Sequence, residues 1–433
     1  MAIITSNFWP EQTGVSQTVG EFAQFLQASG FDVRVATAMP FYPQWQIQEG
    51  YGNSLWRKEK WGDVTILRSW HWVRPQPRTV GRLLHEATLS LLGLPNVIRA
   101  LRGARAAYVV SPALTYAFVG MVMAAIMRVP RVLVVKDVMP EAAVELGMLR
   151  NPIAIALSKW LARWVYRLAR EIHTLGEGMK RRIAAVTGRD DNIRIVPDTI
   201  DAQELYPVPL ELNEFRKQYA PAGTFAVLHT GNIGKKQDLD LLLRAADRLR
   251  HDPTVQFYVF GDGAEKTSFL RRRAARGLEN VSHHPLQPRS MLAHMLSGAD
   301  IVLVSQLAEV IDIVVPSKLL TAMASGAMIV AACSPDSETA RLVNESGGGI
   351  LIGPGDDEAF AKAIARIRSG QIDVKACRDR ARQFAERRFE RHAVYGAVVR
   401  SSLIQPESRN AWQSATDSGL RSVELLVRKE AKG

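Results

Sequence analysis

The side chains best suited to chemistry cluster in four short stretches. Gly231-Asn232-Ile233-Gly234-Lys235-Lys236-Gln237 combines glycines, which let backbone amides approach a ligand, with two lysines whose charge suits a diphosphate. Val315-Pro316-Ser317-Lys318-Leu319-Leu320 opens an apolar helical stretch, where Ser317 as N-cap, the amides of the helix start and the Lys318 ammonium would each favour a phosphate. A capped core helix would explain Ser317 but not the lysine beside it. Lys136-Asp137-Val138-Met139-Pro140-Glu141 sets a lysine and two carboxylates directly after an apolar run; unpaired buried charge is costly, so a pocket edge is the better reading. Pro10-Glu11-Gln12-Thr13-Gly14-Val15-Ser16 is the least specific. Gly14 allows close approach and Ser16 is placed to cap the next helix, yet an ordinary strand-to-helix turn has the same composition.

Spacing excludes some familiar sites. The loop from Gly231 is neither a Walker loop nor a dinucleotide fingerprint. Asp238-Leu239-Asp240 has the acidic spacing that holds a metal in one class of sugar-transferring enzymes, but it stands at an expected helix N-terminus, where carboxylates are favoured anyway. His283-His284 has no Glu or Cys at ligand spacing, and adjacent strand residues point to opposite faces. No metal site is expected. Cys333 and Cys377 are isolated, which excludes a disulfide framework and points to a reducing compartment.

These stretches must be positioned by the elements around them. Short β-rich runs alternate with helical patterns at 32–37, 106–110, 131–135, 171–174 and 193–196, after an opening strand at Ile3-Ile4. A second series follows at 225–230, 255–260, 281–284, 301–305, 328–332 and 349–352. Such alternation predicts an α/β protein of two doubly wound, Rossmann-like domains with a cleft between them, and ligands then bind at the carboxyl ends of the strands. The expected division is an N-terminal domain at 1–201, a proline-bearing linker at 202–222, a C-terminal domain at 223–388, a crossing helix at 389–404 and a tail at 405–433. The apolar run 113–127 is too short to span a bilayer and reads as a buried helix.

The chain of 433 residues carries a formal charge of +12, with 47% hydrophobic residues, which rules out disorder or coiled coil as its main theme. The basic charge is concentrated. Residues 67–105 hold seven arginines with Trp70 and Trp72, and 151–170 alternate Lys159, Arg163, Arg167 and Arg170 with Trp160, Leu161, Trp164, Val165 and Leu168. Both read as basic amphipathic helices; a solvated face explains either alone, whereas two in one half point to an anionic membrane surface. No nucleic-acid module accompanies the charge, so a nucleic-acid partner is not expected. The start of the chain lacks a basic leader and apolar core, and a cytoplasmic location is expected.

Taken in order, Phe8-Trp9-Pro10-Glu11 with Val15, Phe41-Tyr42-Pro43, Asp137-Val138-Met139-Pro140-Glu141 with Leu146-Gly147, Gly231-Asn232-Ile233-Gly234 with Gln237, Gly261-Asp262-Gly263 and Pro316-Ser317-Lys318 resemble a bacterial family 4 glycosyltransferase of the two-domain GT-B type. The branch they resemble builds capsule, exopolysaccharide and O-antigen chains, and the likeness covers roughly residues 2–404. It implies a retaining, metal-independent transferase with no cofactor, its UDP- or GDP-sugar being a substrate. Gly14 and Val15 would approach the diphosphate and sugar, and Asp137 and Glu141 would face the sugar and acceptor. Gly231, Asn232, Gly234, Lys235 or Lys236, Gly261, Ser317 and Lys318 would surround the diphosphate, and the chain at Pro285-Leu286 would meet the base. The resemblance also implies a polyprenyl-diphosphate-linked glycan acceptor, and hence a peripheral position on the inner face of the plasma membrane.

Some positions depart from that pattern. Ile313 and Thr321 stand where many relatives carry glutamates, Lys136 where many have histidine, and Asp198 where asparagine is usual. The missing acids leave room for a non-catalytic homologue, and the fold alone would also suit a soluble acceptor or a nucleotide-sugar epimerase.

Overall fold

A computed structural model describes residues 1–400 apart from 12–13, 76, 78, 146–148, 150, 235 and 310–316. Strands β1 (Ala2–Ile4), β2 (Arg34–Ala38), β3 (Trp56–Trp61), β4 (Val64–Ser69), β5 (Ala107–Ser111), β6 (Arg131–Val135), β7 (Glu171–Thr174) and β8 (Ile193–Ile195) form one sheet, ordered β3-β4-β2-β1-β5-β6-β7-β8. Strands β9 (Phe225–Thr230), β10 (Val255–Phe260), β11 (Val281–His284), β12 (Ile301–Ser305), β13 (Ile329–Ala332) and β14 (Gly349–Ile352) form a second, ordered β11-β10-β9-β12-β13-β14. All pairings are parallel except β3 with β4. Parallel strands covered on both faces should be apolar throughout, and β5 and β12 are buried at every residue.

The chain reverses its strand order beside β1 in the first sheet and beside β9 in the second, the crevice positions of doubly wound folds. The apolar run becomes the helix Leu114–Ile126, packed between helices Thr79–Leu101 and Pro152–Leu168. Gly120 lets it lie on the sheet, since a Cβ there would come within 3.1 Å of Ile4 and 3.2 Å of Val109. No helix among the described residues is long and apolar enough to cross a membrane.

The basic stretch 67–105 is not one amphipathic helix. Its first residues belong to β4, paired antiparallel with β3, and the helix begins only at Thr79. Arg68 is fully buried, bonded to Glu59 at 2.5 Å and to the carbonyls of Ala38 and Trp9. Its charge is consumed internally, which charge counting along a sequence cannot reveal. The β3–β4 pair went unread because Trp56-Arg57-Lys58-Glu59-Lys60-Trp61 is mostly exposed and polar, as edge strands often are.

Between the sheets the chain is stapled to the second domain. Val208 N bonds Ser297 Oγ at 3.2 Å, Asn213 donates to the His294 carbonyl at 2.9 Å, and Arg216 pairs with Asp300 at 2.6 Å. The helix Arg391–Arg400 crosses back to the first domain. There Tyr395 packs on Phe22 and Phe25, its hydroxyl donates to the Thr18 carbonyl at 3.2 Å, and Arg391 pairs with Glu21 at 3.1 Å. Residues 401–433, which hold the expected tail, lie outside the described residues.

Candidate functional site

The carboxyl edges of the two sheets face each other. Asp137, just after β6, accepts from Lys236, in the loop after β9, at 3.0 Å; both side chains are partly exposed. A second bridge joins Arg289 beyond β11 to Glu21 at 3.2 Å, and Gly176 after β7 lies against Glu338, close enough that a Cβ would meet its carboxyl carbon at 2.6 Å. The cleft is thus walled by the loops after β1, β6 and β7 on one side and β9, β11 and β13 on the other.

On the first wall, buried Glu11 organises two loops at once. Its carboxylate accepts from the amides of Phe41 at 2.7 Å and Tyr42 at 2.8 Å, and from Asn7 at 3.0 Å. Burial pushes its pKa up and these donors oppose the rise. The bonds Trp9-Pro10, Tyr42-Pro43 and Met139-Pro140 in these loops are cis. Gly14 is the N-cap of helix Val15–Ala28 with φ 59°, a left-handed position that glycine tolerates, and it is exposed while Val15 is partly buried. The expected capping by Ser16 does not occur, because the turn at Gly14 starts the helix early enough to place Ser16 inside it, buried. Glu141 opens the short helix Glu141–Glu145, where a carboxylate meets the positive end of the peptide dipoles. Two departures from the family pattern prove to be partners, for Lys136 bonds Asp198 at 2.5 Å.

On the second wall three strand-end loops are knitted by backbone bonds. Gly231 N donates to Phe260 O at 2.8 Å, Gly261 N to His284 O at 3.0 Å, and Ile233 N to Asp262 O at 2.8 Å. Gly261 is needed for this approach, since a Cβ there would fall 1.8 Å from the Gly231 carbonyl oxygen. Gly234 likewise accommodates the exposed Asn232 side chain, whose amide would meet a Cβ at 2.5 Å. Pro285 and Leu286 follow β11 and are exposed at the cleft rim, and the Pro285 carbonyl accepts from Gln287 at 3.0 Å. Lys235, Pro316, Ile313, Leu146 and Gly147 lie outside the described residues.

The helix expected at the fourth stretch runs Ser317–Ala324. Ser317 is its first residue rather than its N-cap, because the helix begins one position earlier than expected; the residue is exposed. Thr321 Oγ1 bonds the Lys318 carbonyl at 3.1 Å, as threonine does within a helix. Lys318 is partly buried beside the glycine-rich loop, its Cε 4.0 Å from where a Cβ on Gly231 would lie. Desolvation pushes its ammonium down to about 7. Nζ lies 3.5 Å from Nε2 of His229, a fully buried residue of β9 whose own pKa burial and Lys318 hold well below the usual value. Sequence reasoning missed His229, although a histidine within an apolar strand was the available signal.

The remaining acidic and histidine motifs serve the fold. Asp238 caps helix Leu239–Arg248 by accepting from Leu241 N at 3.1 Å, and Asp240 pairs with Arg272 at 3.0 Å. His283 bonds the Gly261 carbonyl at 3.0 Å and His284 the Ser282 hydroxyl at 3.1 Å. Among the described residues no three His, Cys, Asp or Glu side chains are grouped to hold a metal.

Two α/β domains with glycine- and lysine-bearing loops converging on one cleft define a GT-B architecture. A glycosyl transferase 4-like domain matches residues 13–199 and the family glycosyl transferases group 1 matches 224–369. The chain belongs to the family 4 glycosyltransferases and is an enzyme of that transferase class. Over 396 residues it is 30% identical to the putative colanic acid biosynthesis glycosyl transferase WcaI of Escherichia coli K12, spanning 90% of this chain and 96% of that one. The probable glycosyltransferase WbjE of Pseudomonas aeruginosa is 26% identical over 237 residues, 54% of this chain and 59% of its own. The fold is shared with Anabaena HepE in complex with UDP-glucose, at 17% identity and TM-score 0.68 over 92% of this chain and 98% of that one. It is shared too with WaaG, a glycosyltransferase involved in lipopolysaccharide biosynthesis, at 14% identity and TM-score 0.62 over the same shares.

Proposed function

We propose that this chain transfers one sugar, with retention and without a metal, from a UDP- or GDP-sugar to a lipid-linked oligosaccharide during surface-polysaccharide synthesis. The observation that carries the reading is the placement of Lys318, a partly buried ammonium beside the glycine-rich loop, with Lys236 on the same wall and Asp137 opposite. As the glycosidic bond breaks, negative charge grows on the leaving diphosphate. Preplaced lysines and the helix start at Ser317 would stabilise that charge where it develops, the part a divalent ion plays in other transferases. Attack from the same face, with the departing phosphate accepting the acceptor's proton, needs no protein nucleophile. Asp137 and Glu141 would then orient the sugar and the incoming hydroxyl, and the loops at Gly14 and Pro285-Leu286 would close on the donor. The name of WcaI and the complex of HepE with UDP-glucose support the substrate class.

The acceptor side rests on a surface. Helix Pro152–Leu168 exposes Ile153 at 78%, Leu157 at 62%, Trp160 at 53% and Trp164 at 43%. Val80, Leu83 and Leu84 of helix Thr79–Leu101 are also exposed, and Lys159, Arg163 and Arg167 accompany the tryptophans. An apolar face this large, flanked by cations, fits docking on anionic lipid at the inner face of the plasma membrane. The test incubates purified protein with UDP- and GDP-sugars in EDTA, with and without a membrane extract carrying polyprenyl-linked glycans. Sugar transfer to the lipid fraction is expected. Turnover without acceptor would mean an epimerase, transfer to a soluble sugar alone would displace the lipid acceptor, and no nucleotide binding would leave a non-catalytic homologue.

A further inference from the structure

His229 is an imidazole fully buried in a parallel strand whose preceding residues, 225–228, are all apolar, and it is in register with Val259 of β10. Burying such a ring forfeits its hydration, so its hydrogen bonds matter. Nε2 lies 3.5 Å from Lys318 Nζ. A lysine ammonium only donates, so Nε2 must accept and the ring proton must sit on Nδ1. Nδ1 has no hydrogen-bond partner within range, and neither has the buried Oε1 of Gln237, a residue of the glycine-rich loop. The Leu303 backbone and, more weakly, the Gln237 side chain nevertheless favour protonation of this imidazole. A buried donor without a hydrogen-bonded acceptor thus neighbours a buried acceptor without a donor.

We propose that His229, backed by Gln237, is a positioning residue that fixes the direction of Lys318 toward the donor diphosphate. In this reading Gln237 would steady the Nδ1 side of the neutral imidazole while Nε2 accepts from the ammonium, tying the glycine-rich loop to the helix that begins at Ser317. A ring held neutral suits the role, because an imidazolium would repel the lysine and could not accept its proton. Of the other charges beside the cleft, Lys236 is engaged with Asp137 and Lys136 with Asp198, and Glu141 stands at the start of its own helix, while Lys235 and Asp312 lie outside the described residues. The inference rests on the nucleotide-sugar reading above.

A hydrogen bond to the charged form of Lys318 favours that form, so removing the acceptor lowers the lysine pKa further. The experiment measures calorimetric binding of UDP-glucose and GDP-mannose between pH 6 and 9, since an esterified diphosphate does not titrate there. For the donor that binds, His229→Leu is expected to weaken affinity about tenfold at pH 7.5 and to move the midpoint of its pH dependence down by about one unit. His229→Gln, whose amide oxygen replaces Nε2, should recover most of both. A folded His229→Leu protein with wild-type affinity and midpoint would overturn the proposal, as would a Gln variant no better than Leu. If His229→Leu does not fold, Gln237→Leu decides the matter, with a smaller downward shift expected and an unmoved midpoint refuting it. Failure of the wild-type chain to bind either donor removes the donor reading and this inference with it; binding indifferent to His229 removes only the inference.

Discussion

Replacing Asp137 by asparagine should tighten binding of the donor while slowing transfer. Asp137 and Lys236 reach each other across the cleft at 3.0 Å, with side chains 25% and 34% exposed. At an effective dielectric of about 20 the gross attraction at that distance is roughly 5 kcal/mol, but desolvation, side-chain ordering and salt leave partly exposed pairs a net value of about 1 kcal/mol. A diphosphate that recruits Lys236 must first take it from Asp137. Asp137→Asn abolishes that competition at nearly constant shape, and about 1 kcal/mol corresponds to roughly fivefold tighter binding. Lys236→Ala should weaken binding, and the double variant should match Lys236→Ala, because the aspartate acts on the diphosphate chiefly through the lysine. Isothermal titration at 0.05 and 0.5 M salt would check this, the gain from Asp137→Asn shrinking at the higher salt. Equal or weaker binding by Asp137→Asn at low salt would refute the exchange, whatever happened to turnover.

Further outcomes follow from the same geometry. Donor affinity should fall about tenfold per pH unit above roughly pH 7, because the folded-state pKa of Lys318 is lowered to about 7 and its charge is lost as pH rises; Lys318→Arg should flatten that profile in the same titration. Trp160→Ala/Trp164→Ala should cut co-sedimentation with phosphatidylglycerol vesicles by at least about tenfold, since burying one large apolar side chain contributes roughly 1.5–3 kcal/mol; wild-type protein that ignores such vesicles would remove the lipid-docking reading. Gly261→Ala forces its Cβ into the Gly231 carbonyl, so a thermal melt should show destabilisation of about 2 kcal/mol or more and donor binding should be lost.

Much of the fold was legible because its signals are local. The strands at 131–135, 171–174, 225–230, 255–260, 281–284, 301–305 and 349–352 carry the boundaries read from apolar runs between turn residues, and Asp238 caps its helix as its position implied. The errors came from tertiary competition. Arg68 read as a surface cation and is a buried cross-strand ligand of Glu59; Ser16 and Ser317 read as caps and are each inside a helix. The site was legible as loops after strands, not as contacts. Nothing in Lys136 and Asp198, read separately, announces that they pair; along the sequence they are two independent departures from a pattern.

The sequence by itself determined the alternation of strands and helices, the two series that make two sheets, and the glycine-bearing turns at their carboxyl ends, because each depends on residues within one or two turns of chain. Only the tertiary structure decided which charges meet. Asp137 and Lys236 are 99 residues apart, His229 and Lys318 are 89 apart, and Lys136 and Asp198 are 62 apart. It also decided that Ile153, Leu157, Trp160 and Trp164 face outward rather than into the core. Periodicity fixes that a helix has an apolar stripe, but which of its faces finds another element is set by how distant parts of the chain pack.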